Sequence, residues 1–366
     1  MTLKKLCIAA CAAALCLMSG CSGTVSEYYT SVPHTEKDNT AISVSQDSDI
    51  SSYYTLKGAV MNMVNMGISD DVLRIGAYSG DLEEDIKAII QEVTTTEPMG
   101  IYGVAAITAE QSKVLSYQEL SVSIQYKRPA TEMQSVVSVS SFYDVENRLA
   151  DMLSEFSKSE AYYIKGFDAG QYGDDLMYMA WMQCGSRAVG LNKTTVTLYP
   201  EQSDNCIMEV AASYNTTRQQ LENMASYAVH AAETACEGVG PVGIRDGIDH
   251  INSFLSQNIR YDSEAQRVVN ETRGRQPKTA SYTAYGVFQR HVGAQSGWVL
   301  AASVMCDVLG IDHTVETGTC GGDVYSWLVI PIDGEDYIFD VTAWQNGREA
   351  YLYTFREASD LFISWK

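Results

Sequence analysis

The sequence predicts an α+β fold, and three observations carry that reading. An amphipathic helix at residues 81–93 is followed by alternating strands; the same helix-then-strands order recurs in the middle of the chain; and the C-terminal part again runs helices first and strands after. Of 366 residues, 46% are hydrophobic and 19% charged, which supplies apolar material for two or three domains. Acidic residues outnumber basic ones 46 to 25, for a net charge of −21. A surface that negative repels phosphate backbones, so no nucleic-acid partner is expected. No apolar run reaches the roughly 18 residues that a membrane-spanning helix needs.

The N-terminus reads as an address. Lys4 and Lys5 precede the apolar run Leu6–Leu17, and Met18-Ser19-Gly20-Cys21 follows. A basic start, a short apolar stretch and small residues describe a signal peptide over 1–20. The run Leu17–Cys21 resembles the lipobox of bacterial lipoproteins. That resemblance implies cleavage before Cys21, diacylglycerol on its thiol, and an extracytoplasmic protein held to the cell membrane by lipid, where two or more acyl chains anchor stably. An ordinary cleaved signal is the plainer alternative. Residues 21–53 are rich in Ser, Thr and Asp, a composition that cannot bury enough apolar area to offset ordering, and read as a flexible tether.

Two α+β units are expected next, over 54–142 and 143–215. In the first, Leu82, Ile86, Ile89, Ile90 and Val93 share a helix face, acids occupy the first turn, and Leu120–Tyr126 alternates as a strand. About 63 residues on, Val145, Leu149, Met152, Leu153 and Phe156 line a second helix, with strands expected near 175–187, 194–200 and 206–214. No His, Cys or carboxylate cluster here has catalytic spacing. The units read as scaffold or partner-binding surface.

From 216 to 366 the pattern changes. Thr217 with Gln220 three places on opens a helix to about Ala235, and a second runs over roughly 245–258. The segment Ile251–Asp262, ending in Tyr261-Asp262, and Thr283-Ala284-Tyr285-Gly286-Val287-Phe288 resemble bacterial transglutaminase-like domains, in the papain-like Cys-His-Asp superfamily. The match extends through Gln295-Ser296-Gly297-Trp298, where that family has Cys-Gln-Gly-Tyr. It continues through Tyr325-Ser326-Trp327, where the family has His-Ala-Trp, and through the strand Tyr337–Thr342 with Asp340. The resemblance therefore implies a catalytic triad of which only Asp340 remains. Gln295 and Tyr325 stand at the nucleophile and base positions. An amide is neither nucleophilic nor ionisable, and a phenol near pKa 10 is a poor base at neutral pH. Asp340 is expected to accept a hydrogen bond from the Tyr325 hydroxyl.

Cys320 is the candidate stand-in nucleophile, at the end of the strand before Gly321-Gly322 and expected nearly opposite Tyr325. Nothing in the sequence offers it an imidazole. Trp298 and Trp327 are expected along an inherited ligand groove, with packing as the alternative. Six cysteines follow the signal: Cys21, Cys184, Cys206, Cys236, Cys306 and Cys320. Their spacing matches no zinc site, and no metal or cofactor is expected. The resulting expectation is a lipid-anchored pseudoenzyme that binds a peptide or protein. A thiol enzyme of transglutaminase or protease type acting through Cys320, and a purely structural envelope lipoprotein, are the alternatives.

Overall fold

The computed structural model describes residues 50–114, 117–166, 173–239, 243–272, 279–349, 351–360 and 363–365. The signal segment, Cys21 and the tether up to residue 49 lie outside the described residues. The last residues assigned to the tether belong to the fold. Ile50–Ser52 is a strand, β1, and Ser52 opens helix α1 (Tyr53–Met66) through a capping box with Thr55. Helix α1 buries Leu56, Ala59, Val60, Met63 and Val64. Its only charge is Lys57, so no acidic face contrasts with its apolar one, and the helix is easily missed by pattern.

The chain is α+β throughout. After α1 come β2 (Asp70–Ser79), α2 (Leu82–Thr95), α3 (Pro98–Gly103), β3 (Val104–Val114) and β4 (Tyr117–Tyr126), in a sheet ordered β1-β2-β4-β3. Helix α4 (Ala130–Gln134) leads into β5 (Val137–Val139), α5 (Phe142–Ser154), β6 (Ser159–Lys165), α6 (Gly173–Met182), β7 (Leu191–Tyr199) and β8 (Asn205–Tyr214). Their sheet is ordered β5-β6-β8-β7. The two sheets share one topology: a short strand parallel to the next, then a hairpin whose second strand lies inside. Ile50 and Val137 open the two units, so the offset is 87 residues rather than about 63. The sequence repeat pairs α2 with α5, whereas the fold pairs α1 with α5. A second expectation also changes: 175–182 is helical, not a strand. Leu176, Met177, Tyr178, Ala180, Trp181 and Met182 are all buried, and an apolar run without a polar face has no period to read.

The helices of the first unit are covered on both sides. Ala161 and Ile207, on the outer face of the second sheet, join the core of Leu56, Ile89 and Val93. Arg128 fastens this contact, donating to both oxygens of Glu209 at 2.8 Å while its guanidinium lies 4.1 Å from the Tyr102 ring centroid. On the corresponding face the first sheet carries Asp70, Val72, Arg74, Glu119, Ser121 and Ser123, where the second has Ala161, Tyr163, Ile207 and Glu209. The outer face of the first sheet is thus the polar end of the stack, as a terminal repeat requires.

The remaining elements are α7 (Arg218–Ala235), α8 (Ile244–Asn258), β9 (Arg260–Tyr261), α9 (Ser263–Thr272), α10 (Ala284–Arg290), β10 (Val292–Gly293), α11 (Gln295–Leu309), β11 (Thr314–Cys320), β12 (Asp323–Ile332), β13 (Glu335–Phe339), β14 (Leu352–Thr354), α12 (Phe355–Asp360) and β15 (Ile363–Trp365). The last five strands form an antiparallel sheet ordered β14-β13-β12-β11-β15. Helix α11 is buried along its length from Gln295 to Cys306. It shares one apolar core with α5, α6, α7 and the inner face of β12. No helix of the described residues is long and apolar enough to cross a membrane.

Candidate functional site

The motif residues converge on the N-terminus of α11 and the strand beside it. Thr283 caps α10 by accepting from the Gly286 N–H at 2.9 Å. Gly286 and Gly297 have a steric reason: a Cβ at Gly286 would meet the Ala280 carbonyl oxygen at 1.9 Å, and one at Gly297 the Ser281 carbonyl oxygen at 2.2 Å. Both helices therefore start tight against the 280–282 turn. Asp262 holds the same turn, accepting from Ser281 Oγ at 2.6 Å while capping α9 through the Ala265 N–H at 3.1 Å.

Gln295 begins α11 and is 1% exposed. Its backbone N–H, one of the donors a helix start leaves without a partner, donates to Gln266 Oε1 at 3.0 Å. Its carboxamide pairs with the backbone of Ser326: Nε2 donates to the Ser326 carbonyl, and the Ser326 N–H donates to Oε1 at 3.2 Å. The β12–β13 ladder ends at Leu328 opposite Phe339, so the side chain of Gln295 continues it by one peptide-like pair. Tyr178, from α6, closes the same region, with its hydroxyl 3.2 Å from Ser326 Oγ.

Tyr325 and Asp340 are joined as expected. The Tyr325 hydroxyl donates to the Asp340 carboxylate, lying 2.8 and 2.9 Å from its two oxygens. Two further residues complete the cluster. Arg348 Nη2 donates to Asp340 Oδ2 at 2.6 Å and to the Tyr325 hydroxyl at 3.1 Å, and the Thr342 N–H donates to Asp340 Oδ1 at 3.1 Å. Asp340 is fully buried and the Arg348 side chain is 12% exposed. Burial pushes the Asp340 carboxyl up, and Arg348, Tyr325 and Thr342 pull it back. The Tyr325 phenol is driven well above its ordinary range, first by burial and then by the Asp340 charge. It stays protonated and donates, so it cannot serve as a base.

Cys320 does not oppose Tyr325. The register sets Cys320 against Asp323 and Tyr325 against Gly318, because the Gly321-Gly322 turn closes directly after Cys320. The thiol is half-buried and packs against the cluster containing Tyr325 and Trp327. Burial raises its pKa, with the Arg348 guanidinium as the main opposing influence. No disulfide joins the five described cysteines, and burial lifts Cys184 to about 12 and Cys236 to about 11.

Trp298 and Trp327 are both fully buried, so neither offers a surface to a ligand. Trp298 Nε1 donates to the Gly293 carbonyl at 3.1 Å, and its ring packs against Tyr261 and against Trp344, which is 44% exposed. Two histidines of the C-terminal region are held locally: His313 lies between Ser303 Oγ and the Ile311 carbonyl, and His250 meets the Ala235 carbonyl. Sequence reasoning missed Gln266, Tyr178, Arg348 and Trp344. None belongs to a motif, and each reaches the site only through tertiary packing.

No protein-family model matches the chain, and no curated protein matches it. Among the solved structures it resembles is one described as the crystal structure of a TGase, similar at a TM-score of 0.31 and 13% identity. The similarity covers 53% of each chain, so the chain spans about half the length of that protein.

Proposed function

We propose that the protein is a lipid-anchored, extracytoplasmic, transglutaminase-like protein without catalysis that binds a peptide or protein at the cell envelope. The observation that carries the non-catalytic reading is the use of the two motif positions as clamps. Gln295 spends its amide on the Ser326 backbone, and Tyr325 spends its hydroxyl on Asp340. Acyl transfer through a covalent intermediate needs a nucleophile and a neighbouring base, and neither side chain supplies one. A displaced nucleophile at Cys320 would need a thiolate, against the burial that raises its pKa. Ligand contact falls to the rim instead of the buried floor, with Trp344 as its exposed aromatic. The anchor is carried by Cys21 and the lipobox-like run before it.

Two readouts on the full chain test this. Given a glutaminyl peptide and a fluorescent primary amine, the protein is expected to incorporate no more amine than its Cys320→Ser variant. Incorporation that Cys320→Ser abolishes overturns the non-catalytic reading. In cell fractionation, Cys21→Ser is expected to move the protein out of the membrane fraction, and unchanged membrane retention refutes the anchor.

A further inference from the structure

Strand β3 is the outermost strand of the first sheet. Among the described residues it pairs on one side only, with β4, so its other side presents the backbone N–H and C=O groups of an edge. Such edges are commonly blunted by bulges and lysines. Here both devices sit at the ends of the strand: the register shifts between Val104 and Ala106, and Lys113 is exposed at the far end. Residues 107–112 between them carry neither, and the stretch is as long as a common strand.

The two faces beside this edge differ. On the outer face Glu110 stands opposite Ser121, and Thr108 opposite Ser123, which is itself opposite Asp70. These residues line a concavity of about 550 Å³. Asp70, Glu110 and Glu119 make the face acidic, while Arg74, its cation, is drawn over the Tyr117 ring at 4.8 Å from the centroid. On the inner face Ala109 and Ile90 of α2 are only half-buried, and with Ile86 and Ile107 they line an apolar notch below the edge. A strand laid along β3 places its side chains alternately on these two faces, because successive side chains of a strand point to opposite sides.

We infer that β3 is a docking edge for an extended segment of another protein in which lysine or arginine alternates with apolar residues. Backbone hydrogen bonds to residues 107–112 supply the affinity of an added strand, and the alternating pattern supplies the selection. A basic side chain directly opposite Glu110 lies within about 5.5 Å of it, Cβ to Cβ, and forms a favourable cross-strand pair. Its apolar neighbours in the segment reach the notch beside Ile90 and Ala109. The same face repels an acidic segment, which sets aside the chain's own residues 21–49, where acids outnumber basic residues. This surface is separate from the Trp344 rim, and the inference does not depend on binding there.

Hydrogen exchange of the full chain, with and without a synthetic Lys-Val-Lys-Val-Lys-Val peptide, tests the docking edge. The peptide is expected to slow exchange at the β3 amides that face away from β4, to leave β2 unchanged, and to bind more weakly as salt rises. The same peptide N-methylated throughout keeps its charges and loses its backbone donors, so it is expected to give no protection. A Glu-Val peptide of the same length is expected to give none either. Glu110→Lys alters an exposed residue, where folding is not at risk, and replaces an attractive pair with a repulsive one, so binding is expected to weaken about fivefold. Equal binding of the N-methylated peptide, or unchanged affinity in Glu110→Lys, overturns the inference, since the basic peptide then holds to an acidic protein without using the edge. Protection of β3 that rises with protein concentration and needs no peptide also overturns it, by making a second copy of the chain the occupant.

Discussion

Asp340→Ala is expected to destabilise the protein by about 3–5 kcal/mol, the usual cost of removing one partner from a buried ion pair. Asp340 is fully buried and receives hydrogen bonds from Tyr325, Arg348 and Thr342. Without it, the Arg348 guanidinium keeps its charge at 12% exposure and loses its carboxylate partner, with the Tyr325 hydroxyl still bonded to it. Asp340→Asn keeps the shape and an acceptor oxygen but not the charge, so it should fall between Ala and wild type. Denaturant unfolding of the three proteins checks the order. If Asp340→Ala costs less than about 1 kcal/mol, the level of an exposed pair, the cluster is not the buried framework described here.

Gln295→Ala is expected to cost about 2–4 kcal/mol, because two backbone groups of Ser326 lose their partner inside the protein. Gln295→Glu discriminates further. A carboxylate can still accept from the Ser326 N–H but turns an oxygen toward the Ser326 carbonyl, so it should recover little of the loss at neutral pH and more in acid. The sign follows from burial, which favours the protonated carboxyl; that form donates as the amide does. Equal stability of Gln295→Ala and wild type by denaturant unfolding would show that the carboxamide does not hold α11 to β12.

How much of this was legible in the sequence depended on whether a local pattern carried it. The helix at Leu82–Thr95 and the capped helix after Thr217 were readable because each has a contrasting polar face or a capping box. Strands β7 and β8 fall on the stretches expected as strands near 194–200 and 206–214. The Tyr325–Asp340 hydrogen bond was readable because both residues sit in motifs on adjacent strands. Helix α1 and helix α6 were not, since one carries a single charge and the other buries nearly every residue from Leu176 to Met182. The true repeat offset was lost with α1. Arg348 could not be found from pattern: it follows a short 3₁₀ turn and reaches Asp340 only because β13 and that turn fold back together. The pairing of Gln295 with Ser326 was equally hidden, because it depends on where the β12–β13 ladder stops. The groove expectation failed for a related reason. Aromatic residues at motif positions do not announce their exposure, and Trp298 and Trp327 turn inward.

The central claim is that the C-terminal region holds no activated nucleophile, and thiol reactivity tests it most directly. The folded protein would be treated with iodoacetamide at a series of pH values from 5 to 9, with each modified cysteine identified by mass spectrometry. The account predicts slow labelling of the five described thiols below pH 8, with Cys320 the first to react as pH rises, since it alone of the five is not buried. Its raised pKa leaves little thiolate until the solution is alkaline. Rapid labelling of Cys320 below pH 7 would contradict the account and make the thiol enzyme the reading to pursue.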